Sequence, residues 1–342
     1  MPSLLLTGAT GFIGYYITHT LAAAGRPFRA LIRLTSDTRY LDELGEYCEV
    51  VIGDVNDPDS LLDALSGIDT IVHAAAAVSF DSRDEDRLMK VNAEGTANVV
   101  NAALEMGTRR LVHLSSVAAL NRISGGPVVT LKDRWPIEEP NTNYARSKFA
   151  AEREAWRGQA EGLSVAALYP SIVLGAGDWN GHNTPALWRR VAAGQKLYPK
   201  GSGGFVDVRD VARAVLDVLD RDLDGDRFLL NAANLSWREL LASIAESIGQ
   251  PPPSVAVAPW QSALLWPLEG LRAKVTGTPA LLTRESQRNA QAQFAYDGSA
   301  YAEALGRPYI PIDQTVKEVG AAFRLATAGR DGDYPPTWLP VR

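Results

Sequence analysis

Cysteine is almost absent from this chain, in which Cys48 is the only one among 342 residues. A single thiol excludes an internal disulfide and is typical of a reducing compartment, so we expect a cytoplasmic protein. Histidine is also scarce, with four copies, and none lies in an HExxH motif or a Cys/His cluster of zinc spacing. The sequence therefore predicts no metal site.

The chain also lacks a basic excess and a long apolar run. Its formal net charge is -6, whereas nucleic acids and anionic membranes require a basic footprint. The most apolar later stretch, 260–268, contains Pro267 and is too short to span a membrane. We expect neither kind of partner, and we interpret Leu4–Leu6 as a first buried strand rather than a signal peptide.

Short apolar runs alternate with helical patterns through the first half of the chain. Strands separated by helices indicate an α/β fold with a doubly wound parallel sheet, the Rossmann arrangement. The predicted strands lie at 3–7, 29–32, 49–52, 70–74, 110–115 and 164–169, and the helices at 11–24, 58–66, 89–106 and 144–161.

Beyond about residue 170 the alternation gives way to loops rich in glycine and proline, with helices predicted at 208–220, 236–248 and 315–325. We expect residues 1–170 to form a nucleotide-binding domain. Residues 171–342 are expected to form mainly a smaller substrate-binding lobe, with segments that return to the main sheet.

Gly8, Gly11 and Gly14 lie between the first strand and the first helix. Glycines at this spacing permit a tight turn, a close approach of phosphate to the backbone and close packing of the helix on the sheet. Because a helix N-terminus attracts anions, the segment is predicted to bind the pyrophosphate of a dinucleotide.

The second strand ends at Arg33, where an NAD-selective site would place an acidic residue against the ribose. An arginine here suits the 2′-phosphate of NADP(H), with Ser36 or Arg39 as helpers, although a solvated arginine gives the same pattern. We expect NADP(H), with NAD(H) as the alternative.

Tyr144 precedes Lys148 by four positions on a predicted helix. This spacing places both side chains on one face, where the ammonium would lower the pKa of the phenol and make it a proton donor for hydride chemistry. The strand histidines His73 and His113 are expected instead to be hydrogen-bonded structural residues.

These motifs, with Ser115-Ser116 after the fifth strand and the segment 169–175, resemble the extended branch of the short-chain dehydrogenase/reductase superfamily over about residues 3–320. The resemblance implies that Ser116, with Ser115 as the runner-up, binds the substrate oxygen. It further implies that Tyr144 exchanges the proton and that Lys148 binds the ribose hydroxyls. The resemblance also implies that Asn92 links backbone segments near the site and that Asp54 contacts adenine. Asp54 could instead cap a turn.

The same resemblance implies a set of cofactor contacts along the carboxyl edge of the sheet. Besides the glycines, Arg33, Asp54, Asn92, Tyr144 and Lys148, they are Thr10, Phe12, Ile13, Val55, Ala74, Ala75, Ala76, Ser115, Tyr169, Pro170, Ser171 and Val173.

Within the family, the chain is more similar to the dihydroflavonol reductase, cinnamoyl-CoA reductase and 3β-hydroxysteroid dehydrogenase subgroup than to nucleotide-sugar epimerases and dehydratases. Segment 203–210 lacks the arginine that those enzymes place before its aromatic residue. The resemblance implies a largely apolar carbonyl or alcohol substrate. A sugar-nucleotide enzyme and a non-catalytic NADP sensor or scaffold remain the alternatives. Five aromatic residues could line the pocket or belong to the core: Trp179, Trp188, Phe205, Trp260 and Trp266.

Extended enzymes commonly pair through the helices that correspond to 89–106 and 144–161, packed as a four-helix bundle about a two-fold axis. We therefore expect a homodimer. The apolar stripe expected to serve it consists of Val91, Asn98, Val99, Ala102 and Met106.

Overall fold

The computed structural model describes residues 3–132, 142–181, 183–221, 223–257, 284–330 and 334–341. The strands in these ranges are β1 (Leu4–Thr7), β2 (Phe28–Ile32), β3 (Cys48–Ile52), β4 (Thr70–His73), β5 (Arg110–Leu114), β6 (Ser164–Pro170), β7 (Ile172–Leu174), β8 (Leu197–Pro199), β9 (Ser202–Asp207), β10 (Arg227–Leu230), β11 (Ala233–Ser236) and β12 (Val255–Val257).

The α-helices are α1 (Phe12–Ala23), α2 (Arg39–Asp42), α3 (Pro58–Ala64), α4 (Glu85–Leu88), α5 (Gly95–Glu105), α6 (Asn143–Ala160), α7 (Ala186–Ala192), α8 (Val208–Asp220), α9 (Trp237–Ser247), α10 (Arg284–Gln291), α11 (Ser299–Leu305) and α12 (Ile312–Thr327). A π-helical turn, Met89–Glu94, connects α4 to α5. Short 3₁₀ turns occur at Gly45–Tyr47, Ser82–Asp84 and Val117–Ala119.

The main sheet has seven strands in the order β10-β6-β5-β4-β1-β2-β3, and every neighbouring pair is parallel. The predicted doubly wound parallel sheet is therefore confirmed. Its edge strand β10 comes from the second half of the chain and places Leu230 opposite Pro170. Two smaller sheets, β11-β9-β7 and β12-β8, lie outside it.

Both faces of the main sheet are buried under helices. The neighbouring residues Leu111 and Val112 of β5 enter different apolar clusters, Leu111 with Val99 of α5 and Val112 with Ile17 of α1. This burial on both sides explains why the strands read as continuous apolar runs. No helix among the described residues has the length and apolar character needed to cross a membrane.

The stripe predicted for dimer contacts is not free on the surface. Val99 and Ala102 are only 0% and 4% exposed, because α5 directs them into the core beneath the sheet. Asn98 donates a hydrogen bond to the carbonyl of Val55 at 3.0 Å. Of the five positions Met106 is exposed, and Val91 and Asn98 are partly exposed, so the expectation of a partly apolar surface stripe is wrong for Val99 and Ala102.

Candidate active site

The glycine loop joins β1 to α1 at the carboxyl edge of the sheet. Gly8 has a φ of +75°, and a Cβ built on it would lie 2.6 Å from the backbone nitrogen of Ala75. A Cβ on Gly14 would lie 2.1 Å from the carbonyl oxygen of Gly8. Gly11 is exposed at the start of α1, whose first turn carries no acidic residue. The loop is thus a backbone cradle, which only glycine can form, beside an uncompensated helix N-terminus, and it fits a pyrophosphate.

The three residues predicted to accompany these glycines lie in the same loop and in the first turn of α1. Thr10, Phe12 and Ile13 are all half-buried. A Cβ on Gly177 would lie 3.1 Å from the Phe12 ring. The loop that follows β7 therefore packs against the first turn of α1 and supports the cradle from the side of the second lobe.

Arg33 follows β2 directly and is exposed. The backbone N–H of Ser36 donates to the Arg33 carbonyl at 2.9 Å and closes a tight turn. Arg39 forms an exposed ion pair with Asp37 at 2.6 Å, so it already has an acidic partner. Selection of a 2′-phosphate by Arg33 stays a prediction.

Asp54 lies in the turn after β3. Its Oδ1 accepts hydrogen bonds from the Asn56 backbone N–H at 2.9 Å and from the Asn56 side chain at 3.0 Å. One carboxylate oxygen therefore stabilises the turn, which is the alternative left open by the sequence. Val55 is buried against Gly95, where a Cβ would lie 2.8 Å from it.

The segment after β4 contacts the glycine loop closely. Ala74 and Ala75 are half-buried and Ala76 is exposed, and the backbone N–H groups of Ala74 and Ala75 each donate to Thr7 at 3.2 Å. His73 is hydrogen-bonded to Thr7 Oγ1 at 2.8 Å and to Thr96 Oγ1 at 3.0 Å. It is a structural histidine, as the sequence predicted.

Asn92 lies in the π-helical turn and connects two segments of the site. Its Oδ1 accepts from the Ala77 N–H at 2.7 Å, and its Nδ2 donates to the Ala77 carbonyl and the Ser147 hydroxyl, each at 2.9 Å. Ser147 in turn donates to the Tyr144 carbonyl at 2.8 Å. Asn92 therefore ties the segment after β4 to the first turn of α6, a linking role that the resemblance implied.

Ser116 and Tyr144 come together although 28 positions separate them in the sequence. Burial raises the pKa of Tyr144, whereas the nearby Ser116 hydroxyl and the positive charge of Arg122 act in the opposite direction. The lowering of this pKa by Lys148 stays a prediction. The Lys148 ammonium donates to the Leu114 carbonyl at 2.8 Å.

Lys148 is buried, and burial lowers its pKa to about 8. His113 is also buried, and neither of its ring nitrogens has a hydrogen-bond partner among the residues that the structure describes. The expectation that His113 is hydrogen-bonded is therefore wrong, and its ring lies instead 5.6 Å from that of His73, centroid to centroid.

Sequence reasoning missed Glu152, which lies one turn after Lys148. It is 7% exposed and accepts hydrogen bonds from Ser115 at 3.2 Å, Tyr169 at 2.8 Å and Trp156 at 3.3 Å. The predicted cofactor residues Ser115 and Tyr169 are therefore held by a carboxylate. The spacing of four from Lys148 was the available signal, but such spacing also occurs in surface ion pairs.

The residues predicted beside the nicotinamide follow β6. Pro170 ends that strand, and the Ser171 N–H donates to the Leu230 carbonyl at 2.9 Å. The Ser171 hydroxyl is buried and has no hydrogen-bond partner among the described residues, which fits a ligand amide. Val173 lies half-buried in β7, and its carbonyl accepts from Thr184 at 2.5 Å.

The aromatic residues that could line the pocket or belong to the core lie in the core where the structure describes them. Trp179, Trp188 and Phe205 are fully buried, and the ring centroids of Trp179 and Phe323 lie 5.1 Å apart. The core interpretation therefore holds for these three residues, and Trp260 and Trp266 lie outside the described residues. The ring of Phe80, which the sequence did not single out, lies 6.0 Å from that of Tyr144.

Among the described residues, no group of three or more His, Cys, Asp or Glu side chains could hold a metal ion. The site is therefore built from hydroxyl, amide and ammonium groups around a backbone cradle.

Comparisons with known proteins agree with this geometry. The model of the NAD dependent epimerase/dehydratase family matches residues 4–230. Sterol demethylase protein B of Methylococcus capsulatus is 33% identical, over 75% of this chain and 77% of that protein. Cinnamoyl-CoA reductase 1 of Oryza sativa is 33% identical, over 70% of this chain and 74% of that protein. The crystal structure of gox2253 superposes with a TM-score of 0.81 at 28% identity, over 96% of this chain and 99% of that one.

Proposed function

Because the chain belongs to the NAD-dependent epimerase/dehydratase family, we propose that it is an NADP(H)-dependent oxidoreductase that interconverts a carbonyl and an alcohol on a largely apolar substrate. The resemblance inferred from the motifs is confirmed, and the chain is an NAD(P)-dependent enzyme of a family that acts on hydroxyl and carbonyl groups. The observation that carries the proposal is the proximity of Ser116 and Tyr144, with Lys148 one turn further along α6.

The cradle and the segment after β6 suit the two ends of a dinucleotide. Gly8, Gly11 and Gly14 would hold the pyrophosphate, and the unpartnered Ser171 hydroxyl would hold the carboxamide of the nicotinamide. Lys148 would bind the ribose hydroxyls through the donors that Leu114 leaves free. When bound, the cofactor supplies or accepts the hydride.

Tyr144 would exchange the proton with the substrate oxygen. Since burial raises the pKa of its phenol, Tyr144 holds its proton at neutral pH and can donate it to a carbonyl oxygen during reduction. Ser116 would bind the same oxygen and align it. Oxidation of an alcohol requires the phenolate, so oxidation is favoured as the pH rises toward the tyrosine pKa.

Arg33→Asp should reverse the cofactor preference, because it replaces attraction for the 2′-phosphate with repulsion. We expect the ratio of NADPH to NADH affinity to fall at least tenfold, or about 1.4 kcal/mol. Fluorescence titration at fixed salt measures both affinities, and Arg26→Asp, at an exposed arginine after the C-terminal end of α1, is the control. Equal affinities for the two cofactors in the wild-type protein would show that Arg33 does not select the phosphate.

Two observations support an apolar carbonyl substrate. Phe80 lies beside Tyr144, and the similar proteins include one named for sterol demethylation and one named cinnamoyl-CoA reductase. An aryl and alicyclic carbonyl panel with NADPH, run beside calorimetry with UDP-glucose, tests this proposal. We expect turnover in the panel and no UDP-sugar binding. Micromolar UDP-sugar binding with a silent panel would favour the epimerase alternative, whereas cofactor binding without turnover of either class would favour the sensor alternative.

We also propose that residues 171–342 form mainly the substrate lobe and that the protein is a cytoplasmic homodimer. The single Cys48, a free thiol, supports the proposed location, because such cysteine usage is typical of a reducing compartment. The dimer proposal depends on the family resemblance, because Val99 and Ala102 are buried in the core and do not lie on the proposed dimer surface. Light scattering at micromolar protein should give twice the 36.9 kDa chain mass, and a monomeric mass would refute the dimer.

A further inference from the structure

Glu152 occupies a position that the proposed reaction does not explain. Its carboxylate is buried between α6 and the carboxyl ends of β5 and β6, where it accepts hydrogen bonds from Ser115, Trp156 and Tyr169. A carboxylate is costly to bury. Three neutral donors offset that cost, but none of them supplies a balancing charge.

Lys148, which carries a positive charge, lies one turn earlier on the same helix, and the exposed guanidinium of Arg227 lies 4.3 Å from the ring centroid of Trp156. The titratable groups around the Lys148 ammonium are Tyr144 and Glu152 on α6, His73 on β4, His113 on β5 and Tyr169 on β6. Burial lowers the pKa of both histidines far below neutrality and raises the pKa of both tyrosines, so these four groups are neutral. Glu152 is therefore the acidic group of this set, and its charge raises the pKa of Lys148 against the effect of burial.

We propose that Glu152 is a positioning residue that fixes the ends of β5 and β6 on the Tyr-Lys helix and places a carboxylate one turn from the Lys148 ammonium that would bind the cofactor. Ser115 and Tyr169 belong to the segments that would flank the nicotinamide, and Leu114 accepts from Lys148. One carboxylate thus joins the geometry of the two strand ends to the charge of the lysine. The inference rests on the proposed cofactor site.

Glu152→Gln tests the charge, because it removes the negative charge and retains the length of the side chain. The pKa of Lys148 then falls. Lys148 can bind the cofactor as the ammonium only below its pKa. NADPH binding should therefore be lost at a lower pH in Glu152→Gln than in the wild-type protein, with a difference on the order of one pH unit. The readout is the NADPH dissociation constant by fluorescence between pH 6 and 10, which requires no turnover.

Glu154→Gln is the matched control. It lies on the same helix and pairs with Arg157 at the surface, so its binding profile should coincide with that of the wild-type protein. A role limited to packing would weaken binding equally at every pH. If Glu152→Gln loses NADPH binding at the same alkaline pH as the wild-type protein, the inference is therefore wrong.

Glu152→Asp covers the case in which the glutamine variant does not fold. It retains the charge but withdraws the carboxylate from its three donors. We expect Glu152→Asp to bind NADPH more weakly at pH 7 but to lose it at the same alkaline pH as the wild-type protein. Unchanged binding at pH 7 would contradict the positioning role. If the wild-type protein loses NADPH as the pH rises but reduces no carbonyl, the proposed function is wrong and the inference about Glu152 is unaffected. If the wild-type protein is active but Glu152→Gln loses NADPH at the same pH as the wild-type protein, the inference is wrong and the proposed function is unaffected.

Discussion

Tyr144→Phe is expected to lower carbonyl reduction by about 100-fold to 10,000-fold, because loss of a positioned proton donor has an effect of that size. The ring and its contact with Phe80 remain, so the fold and the affinity for NADPH should be retained. Steady-state turnover with a reducible member of the carbonyl panel, together with fluorescence binding of NADPH, separates the two effects.

Tyr198→Phe provides the control for this loss. Tyr198 lies on β8 beneath the guanidinium of Arg238, remote from α6, and loss of its hydroxyl should leave turnover unchanged. If folded Tyr144→Phe retains turnover near that of the control, Tyr144 is not the proton donor.

Gly14→Ala is expected to have the second large effect. The new Cβ would lie 2.1 Å from the Gly8 carbonyl oxygen and 2.7 Å from that of Ala9, and neither contact can be relieved by a side-chain rotation. The helix must move away from the loop, at an overpacking cost of about 1–3 kcal/mol. If that cost appears as lost cofactor affinity, it corresponds to roughly 5-fold to 150-fold.

Calorimetric titration with NADPH measures this loss, and Ala23→Ser at the exposed end of α1 is the control. Melting temperature is recorded in parallel to show whether the cost falls on the fold instead. Wild-type affinity together with wild-type stability in Gly14→Ala would show that the loop does not hold the cofactor in the arrangement described.

Local pattern was sufficient for six of the seven strands of the main sheet and for the long helices that cover it. The predicted helix at 208–220 coincides with α8, and the first six predicted strands agree with β1 to β6 to within one residue at each end. Apolar period and glycine position are local properties, so they are readable from sequence. The seventh strand was not placed, because β10 is defined by its pairing with β6, more than 50 positions earlier.

The site residues that sequence motifs identified are those held by backbone geometry or by helical spacing. Glu152 was missed because its importance comes from Ser115 and Tyr169, which the fold brings to it from two strands. The sequence left open whether Trp179 and Trp188 line a pocket or belong to the core, because an aromatic residue has the same appearance in sequence in both places. The charge state of Tyr144 likewise depends on burial, which no spacing rule reports.

The most direct test of the account is hydride transfer itself. NADPH that carries deuterium at both C4 positions is incubated with the wild-type protein and a reducible apolar carbonyl, and the product alcohol is examined by mass spectrometry. The account predicts deuterium at the carbinol carbon and consumption of NADPH mole for mole with product. Formation of an epimer without net consumption of cofactor, or an alcohol product that carries no deuterium, would contradict it.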